Sequence, residues 1–190
     1  MTTIWLLAAA IVLFGATHLL PSFPAARARV KARLGKAYLP LFIATSIATT
    51  VAVGWWWAHS PFIPLYDPPS WGPHVTFTLM LAAFVLFGIF LYSCRLKAKI
   101  RNPFAWVILL WGAGHLLANG DLATVTLAGG LMLVAALMLL LARRNDFRPD
   151  TAGDPALDIP AVLTGLILYL AMAAFHHLLI GAPILHYIGL

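Results

Sequence analysis

Charged residues are scarce in this sequence. Only 9% of its 190 residues are Asp, Glu, Lys or Arg, whereas 62% are hydrophobic; soluble domains are roughly half apolar and about a quarter charged. The mean hydropathy is +0.92 for a chain of 20.6 kDa. A chain of this size has no interior large enough to bury so much apolar surface, which excludes a soluble globular enzyme. The composition predicts a single integral-membrane domain over residues 1–190.

Glutamate is absent altogether. All six acidic residues are Asp, which excludes mechanisms that depend on a glutamate as acid, base or metal ligand. Cysteine occurs once, as Cys94, so no disulfide can form within the chain. The sequence also lacks C-x-x-C-H, G-x-G-x-x-G, the P-loop and G-x-S-x-G. These absences argue against covalently attached haem, the common nucleotide-binding loops and a serine-hydrolase site.

Long apolar runs dominate what remains. A membrane-spanning helix needs about 20 mainly apolar residues, and six stretches meet or approach this length, which predicts an all-α, polytopic six-helix transmembrane bundle. The fourth stretch is short, and only Asn119-Gly120-Asp121 separates it from the fifth. This turn sequence predicts a hairpin, with a single re-entrant element as the alternative. The predicted helices cover approximately residues 2–20, 38–58, 74–93, 104–118, 122–142 and 159–180.

The positive charges are confined to three of the predicted loops. All twelve Lys and Arg residues follow the first, third or fifth predicted helix, at residues 27–36, 95–101 and 143–148. Loops rich in these residues stay in the cytoplasm, so both termini are expected on the outer, periplasmic side of a bacterial inner membrane. We interpret the cations as topology signals beside anionic lipid rather than as a nucleic-acid surface. The stretch from Asn145 to Asp158 lacks apolar periodicity and predicts a flexible loop.

Histidine is the titratable residue that stands out within the predicted spans, which contain no Asp, Lys or Arg. The absence of charge weighs against a proton pump or an ion-coupled transporter. A single helical histidine is often a packing residue, but several in an uncharged bundle predict a functional cluster, because buried polar groups in lipid are costly. The candidates are His18, His74, His115, His176 and His177, whereas His59 and His186 lie in predicted outer segments.

Helix geometry indicates which of these histidines can meet. At about 1.5 Å per residue, His115, His176 and His74 are expected in the outer half of the bundle and His18 somewhat deeper. Neutral imidazole is a good ligand for iron, copper or zinc, and helical bundles hold haem through axial histidines. A protein-only zinc site is less favoured, because it needs three or four converging ligands.

The residues around His115 form a pattern of their own. Trp111, His115 and Asn119 are spaced by four residues and are expected on one helix face. Asn119 and Asp121 could orient a ligand, although Asn-Gly-Asp is an equally good turn sequence. Trp111, Asn119 and Asp121 are therefore candidate cofactor-binding residues beside His115.

Six short strings are distributed over almost the whole chain. They are GATH at 15–18, RLG at 33–35, LYDPPSW at 65–71, RLK at 95–97, HLLANGD at 115–121 and HHLLIG at 176–181. Read together, they resemble the NnrU family, and the string from His115 to Asp121 is the most specific of them.

The resemblance implies a cofactor and its ligands. NnrU proteins are bacterial membrane proteins associated with denitrification, through the expression of nitrite and nitric oxide reductases. Plant and algal relatives are 15-cis-zeta-carotene isomerases, which are haem b proteins that isomerise one double bond of a carotenoid precursor. The resemblance therefore implies haem b with His18 and His115 as axial ligands. The family's other histidines correspond to His74 and His176, which are reserve candidates.

Two classes of function remain open at this point. In the first, the protein binds haem b and either isomerises a lipophilic polyene in the bilayer or, without catalysis, senses nitric oxide or transfers electrons. In the second, it is a haem-free membrane assembly or transport factor for denitrification enzymes. The expected partners are the lipid bilayer, a lipophilic substrate or nitric oxide, and membrane proteins of denitrification; no nucleic acid is expected.

Overall fold

The chain is built from α-helices. In this computed structural model residues 1–145 and 152–189 are described, and they contain no named β-strand. The all-α prediction is therefore confirmed for this part of the chain. The α-helices are α1 Thr2–Leu19, α2 Pro24–Leu34, α3 Tyr38–Ala58, α4 Gly72–Leu91, α5 Arg95–Lys99, α6 Pro103–Ala118, α7 Leu122–Arg144 and α8 Asp158–Ile180. Short 3-10 turns occur at Leu20–Ser22, Gly35–Ala37, Pro155–Leu157 and Leu185–Ile188.

Five helical segments in the described residues are long and apolar enough to cross a membrane. The fourth predicted span is α6, which is apolar but has only 16 residues, fewer than the about 20 of a full crossing. A multi-pass helical membrane protein is thus confirmed, with every predicted helix within two residues of its observed bounds. The sidedness of the termini stays a prediction. The five segments are Thr2–Ser22, Pro24–Ala58, Gly72–Leu91, Leu122–Arg144 and Pro155–Ile180.

Two helices were not predicted, and both lie in the cation-rich loops. The α2 helix has no buried residue, and α5 has only 5 residues. Neither carries the long apolar run on which the predictions rested. The predicted loop from Asn145 to Asp158 lies partly outside the described residues, which omit 146–151. Its described end contains the 3-10 turn Pro155–Leu157.

The described residues divide into two compact units. The first is formed by residues 1–67 and 119–145, and the second by residues 68–118 and 152–189. In the first unit α1 packs against α3 and α7. Leu7 of α1 is fully buried, and two small residues bring the helices close, since Gly15 faces Val134 and Gly130 faces Ile11. Small residues at such contacts let membrane helices approach closely.

In the second unit α4 packs against α6 and α8. At the crossing of α4 and α8 the backbones touch: a Cβ on Gly88 would collide with the carbonyl of Ala161 and lie 2.6 Å from the amide nitrogen of Gly165. Only glycine fits there. Nearby, Tyr92, the residue that follows α4, forms a hydrogen bond with Thr164 of α8, and their hydroxyl oxygens are 2.9 Å apart.

Candidate functional site

His18 lies in the last turn of α1, in the first unit. Its Nδ1 is 2.9 Å from the carbonyl oxygen of Phe14, and its ring stacks on Phe14 with centroids 3.8 Å apart and planes at 20°. The ring of Phe42 on α3 is 6.3 Å away. Because a carbonyl oxygen only accepts, Nδ1 carries the proton, and the lone pair of the neutral ring resides on Nε2. This is the tautomer in which Nε2 can ligate a metal.

His115 repeats this arrangement on α6, in the second unit. Its Nδ1 is 2.8 Å from the carbonyl oxygen of Trp111, and the two rings have centroids 4.3 Å apart and planes at 32°. The same reasoning places the lone pair on Nε2. The predicted pairing of Trp111 with His115 is therefore seen as a direct ring contact. Asn119 follows the end of α6 at Ala118 and is not part of that helix.

The reserve histidines belong to the second unit with His115. His74 lies at the start of α4 and is exposed. The Nδ1 of His176 is 2.8 Å from the carbonyl oxygen of Ala182, where the chain turns past the end of α8. His176 and His115 are near enough to interact electrostatically. The structure thus brings His115 and His176 together, and it places His18 in the other unit.

Sequence reasoning missed a third copy of the aromatic–histidine pair. His59 follows Trp55 by four residues, its Nδ1 is 2.8 Å from the Trp55 carbonyl oxygen, and the rings are stacked with centroids 4.2 Å apart. The shared signal is an aromatic residue four positions before a histidine. His59 is exposed, whereas His18 and His115 are partly buried. Burial, not ring stacking, distinguishes the candidate ligands.

The turn at Asn119–Asp121 is held by the loop that follows α3. We call the pairing of residues 63–66 with residues 119–122 the turn clasp. The amides of Leu65 and Tyr66 are 2.8 and 3.1 Å from the Gly120 carbonyl oxygen, and the Leu122 amide donates to Ile63. The Tyr66 hydroxyl donates to the carbonyl of Asn119 at 2.8 Å. A Cβ on Gly120 would collide with the carbonyl of Tyr66, so the turn requires glycine.

Asp121 is the N-cap of α7. Its Oδ1 accepts a hydrogen bond from the amide of Thr124 at 3.0 Å, and the residue is only 8% exposed. The Thr124 hydroxyl in turn accepts from Trp57 Nε1 at 3.2 Å. Burial, and secondarily the negative charge of Asp121, raises the pKa of Tyr66 above its usual value. Asn119 and Asp121 thus have structural tasks in the turn clasp, and their role towards a cofactor stays a prediction.

A known protein family matches almost the whole chain. The chain matches the model of the family described as NnrU protein over residues 6–184. It belongs to the NnrU family. The resemblance drawn from the six strings is therefore confirmed, and the match spans every candidate residue from His18 to His176. No curated protein and no solved structure matches the chain.

The donor set of this NnrU-family protein suits haem better than a bare metal ion. Among residues 1–145 and 152–189, no three His, Cys or Asp side chains converge to hold a metal ion. A haem iron brings four nitrogen ligands from its own macrocycle and takes only one or two from the protein. In His18 and His115 the bond from Nδ1 to a backbone carbonyl leaves Nε2 as the ligand atom of the neutral ring, so the chemistry of these residues fits an axial-ligand role.

Proposed function

We propose that this NnrU-family protein is an integral-membrane haem b protein with His115 and His18 as axial ligands. One observation carries the proposal. In both residues Nδ1 is hydrogen-bonded to the carbonyl four positions earlier, which assigns the lone pair to Nε2 on an apolar helix. Haem proteins hold their axial histidines in this way, with the second ring nitrogen bonded to an acceptor.

The protein's own residues would orient the ligands. Phe14 and Trp111 stack against the imidazoles and limit their rotation, and the carbonyl bonds make Nε2 more basic. Bound haem would supply a redox-active iron, which could take a small ligand or a double bond only if His18 or His115 dissociated from it, for example on reduction. The helices that carry the two histidines are apolar, and such surroundings would favour a lipophilic partner.

We further propose that the haem serves denitrification, as the NnrU family association suggests. In the enzymatic form of the proposal, the protein isomerises a lipophilic polyene within the bilayer, by analogy with the carotene isomerase relatives. In the non-catalytic form, the same haem senses nitric oxide or transfers electrons. Both forms place the protein in the bacterial inner membrane, beside membrane proteins of denitrification.

The pair Trp55–His59 favours a second candidate. It has the same ring stacking and carbonyl bond at an exposed position, which indicates that this local geometry also serves packing alone. On that reading, the protein is a haem-free membrane assembly or transport factor for denitrification enzymes, and its histidines are structural.

An absorption spectrum of the detergent-purified protein, oxidised and then reduced with dithionite, separates the two candidates. The haem proposal expects a Soret band that shifts on reduction. His115→Ala and His18→Ala should each lose or markedly shift this band, because each removes one axial nitrogen. His59→Ala is the matched control, since it removes the same local geometry at an exposed site and should leave the spectrum unchanged.

Two outcomes of these experiments would contradict the haem proposal or its ligand assignment. Absence of a Soret band after reconstitution with hemin would favour the assembly factor. Wild-type spectra in the His115→Ala variant would remove His115 from the ligand set and bring His176 forward.

A further inference from the structure

A groove of about 360 Å³ lies on the second unit beside the start of α8. One end carries an ion pair, and the other end is apolar. The groove is a depression open to the surface rather than an enclosed cavity, so a molecule can reach it from outside. Its lining consists of Arg95, Leu96, Asp158, Ile159, Val162 and Leu163.

The polar end of the groove is a preorganised guanidinium. Arg95 Nε donates to Asp158 Oδ2 at 3.0 Å, Nη2 lies 3.0 Å from the same oxygen, and the amide of Leu96 donates to Oδ1 at 3.0 Å. We call these contacts the arginine clasp. The carboxylate is buried, whereas the Arg95 side chain is 54% exposed. A guanidinium has five N–H groups, so one edge is fixed by Asp158 and the remaining donors face outwards.

The charge around this end is positive. Residues 95–101 contain four cations and no acidic residue. Two carboxylates offset them, Asp158 in the ion pair with Arg95 and Asp154, whose backbone carbonyl accepts from the Arg95 amide, so four positive charges less two negative charges leave an excess of two. The ammonium of Lys97, two residues from Arg95, donates to the carbonyl of Phe90 at 2.6 Å and lies 5.1 Å from the centroid of the Phe90 ring. Such a surface attracts an anion and repels a cationic headgroup.

The apolar end runs along the first two turns of α8. Ile159 is 71% exposed and Leu163 is 51% exposed, on a helix that is apolar and long enough to cross a membrane. A phosphate bound by a guanidinium fork, with a hydrocarbon tail on these residues, would match both ends of the groove. We propose that this groove binds one anionic phospholipid, with its phosphate on Arg95 and an acyl chain along Ile159 and Leu163.

Native mass spectrometry of the full-length protein in detergent tests the proposal, with dioleoylphosphatidylglycerol and dioleoylphosphatidylcholine as probes. Their tails are identical, so only the headgroup differs. The first lipid should bind about tenfold more tightly, the difference that one charge-assisted contact produces. Equal binding of both lipids would overturn the proposal and indicate a nonspecific lipid shell. Displacement of the lipid by an equal concentration of inorganic phosphate would overturn the acyl-chain part.

Two pairs of variants locate the site. Arg95→Gln should weaken phosphatidylglycerol binding about tenfold, whereas Lys99→Gln removes a charge from the same short helix outside the lining and should change it little. Leu163→Trp fills the apolar end without touching the ion pair and should weaken binding similarly. Its control is Leu170→Trp, two turns further along α8 at a position that is 64% exposed. Equal losses within either pair would contradict a defined groove.

Discussion

In each unit a preceding segment is bonded to the start of a later helix, α7 in the first unit and α8 in the second. The two units use different kinds of contact. The turn clasp of the first unit consists mainly of backbone hydrogen bonds to Gly120 and from Leu122. The arginine clasp of the second unit depends on the side chains of Arg95 and Asp158. An isolated β-bridge accompanies each clasp: Pro64 with Asp121 lies within the turn clasp, and Cys94 with Asp154 precedes the residues of the arginine clasp in both segments. The difference lies in what the aspartate at the helix start does.

Asp121 and Asp158 stand at the starts of α7 and α8 and are both buried. Asp121 accepts from Thr124 of its own helix, so its effect is local. Asp158 accepts from Arg95 and Leu96, more than sixty positions earlier in the chain. Asp121 is the N-cap of α7, whereas Asp158 is the first residue of α8. The comparison teaches that one residue type near the start of a helix can be a cap in one unit and a tertiary contact in the other.

The largest effect is expected from Gly120→Ala, which would break the turn clasp. The new Cβ would collide with the backbone carbonyl of Tyr66. A backbone carbonyl cannot move aside as the end of a flexible side chain can. We expect the free energy of unfolding to fall by about 3 kcal/mol, measured by chemical unfolding in micelles. Gly54→Ala is the control, because nothing lies within 4 Å of its Cβ position. In mid-helix it should stabilise by about 0.5–1 kcal/mol. Equal stability of Gly120→Ala and wild type would show that the clasp does not form.

A smaller effect is expected from Asp158→Ala, which would break the arginine clasp. It leaves the Leu96 amide and one edge of Arg95 without their acceptor. Arg95 is half exposed and water compensates it in part, so we expect a loss of about 1–2 kcal/mol in the same unfolding measurement. Asp158→Asn keeps an acceptor for Leu96 and should lose less. If Asp158→Asn matched Asp158→Ala, the charge on Asp158, not its hydrogen-bond geometry, would hold the clasp.

The smallest effect is expected from Asp121→Asn, which keeps the cap but removes its charge. Stability should change by only about a few tenths of a kcal/mol, since Asn caps nearly as well as Asp, whereas Asp121→Ala should cost about 1 kcal/mol. The pKa of Tyr66 should move towards its ordinary value of 10.0, because one of its two causes is gone. A tyrosine titration monitored by ultraviolet absorbance measures this shift, with Tyr66→Phe identifying the Tyr66 signal.

The sign of the associated pH dependence follows from the raised pKa. Tyr66 binds its proton more tightly in the folded protein than in the unfolded chain. Its contribution to stability is therefore complete below about pH 10 and is lost as the pH rises through the folded-state pKa. A wild-type protein and a Tyr66→Phe variant that lose stability in parallel above pH 10 would contradict this assignment.

The helices were predictable because membrane length and proline positions define them. The apolar run of α3 predicted both of its observed bounds. Pro21 lies just beyond the end of α1, and Pro103 is the first residue of α6. The α2 and α5 helices were missed since they are short and rich in cations. Their form depends on neighbouring turns and contacts rather than on an apolar run.

The candidate site was predictable only in its local part. Trp111 and His115 were expected on one face, and their contact follows from the four-residue spacing alone. The same rule would have found Phe14 with His18. The ion pair of Arg95 with Asp158 joins residues far apart in sequence, and no local pattern indicates which of the available cations a given aspartate will meet.

The backbone contact of Gly88 with Gly165 also limits how the second unit can move. No side chain lies between α4 and α8 at that point. The contact therefore cannot adjust by a change of side-chain rotamer. A change of the distance between the two helices at this point would have to move their backbones.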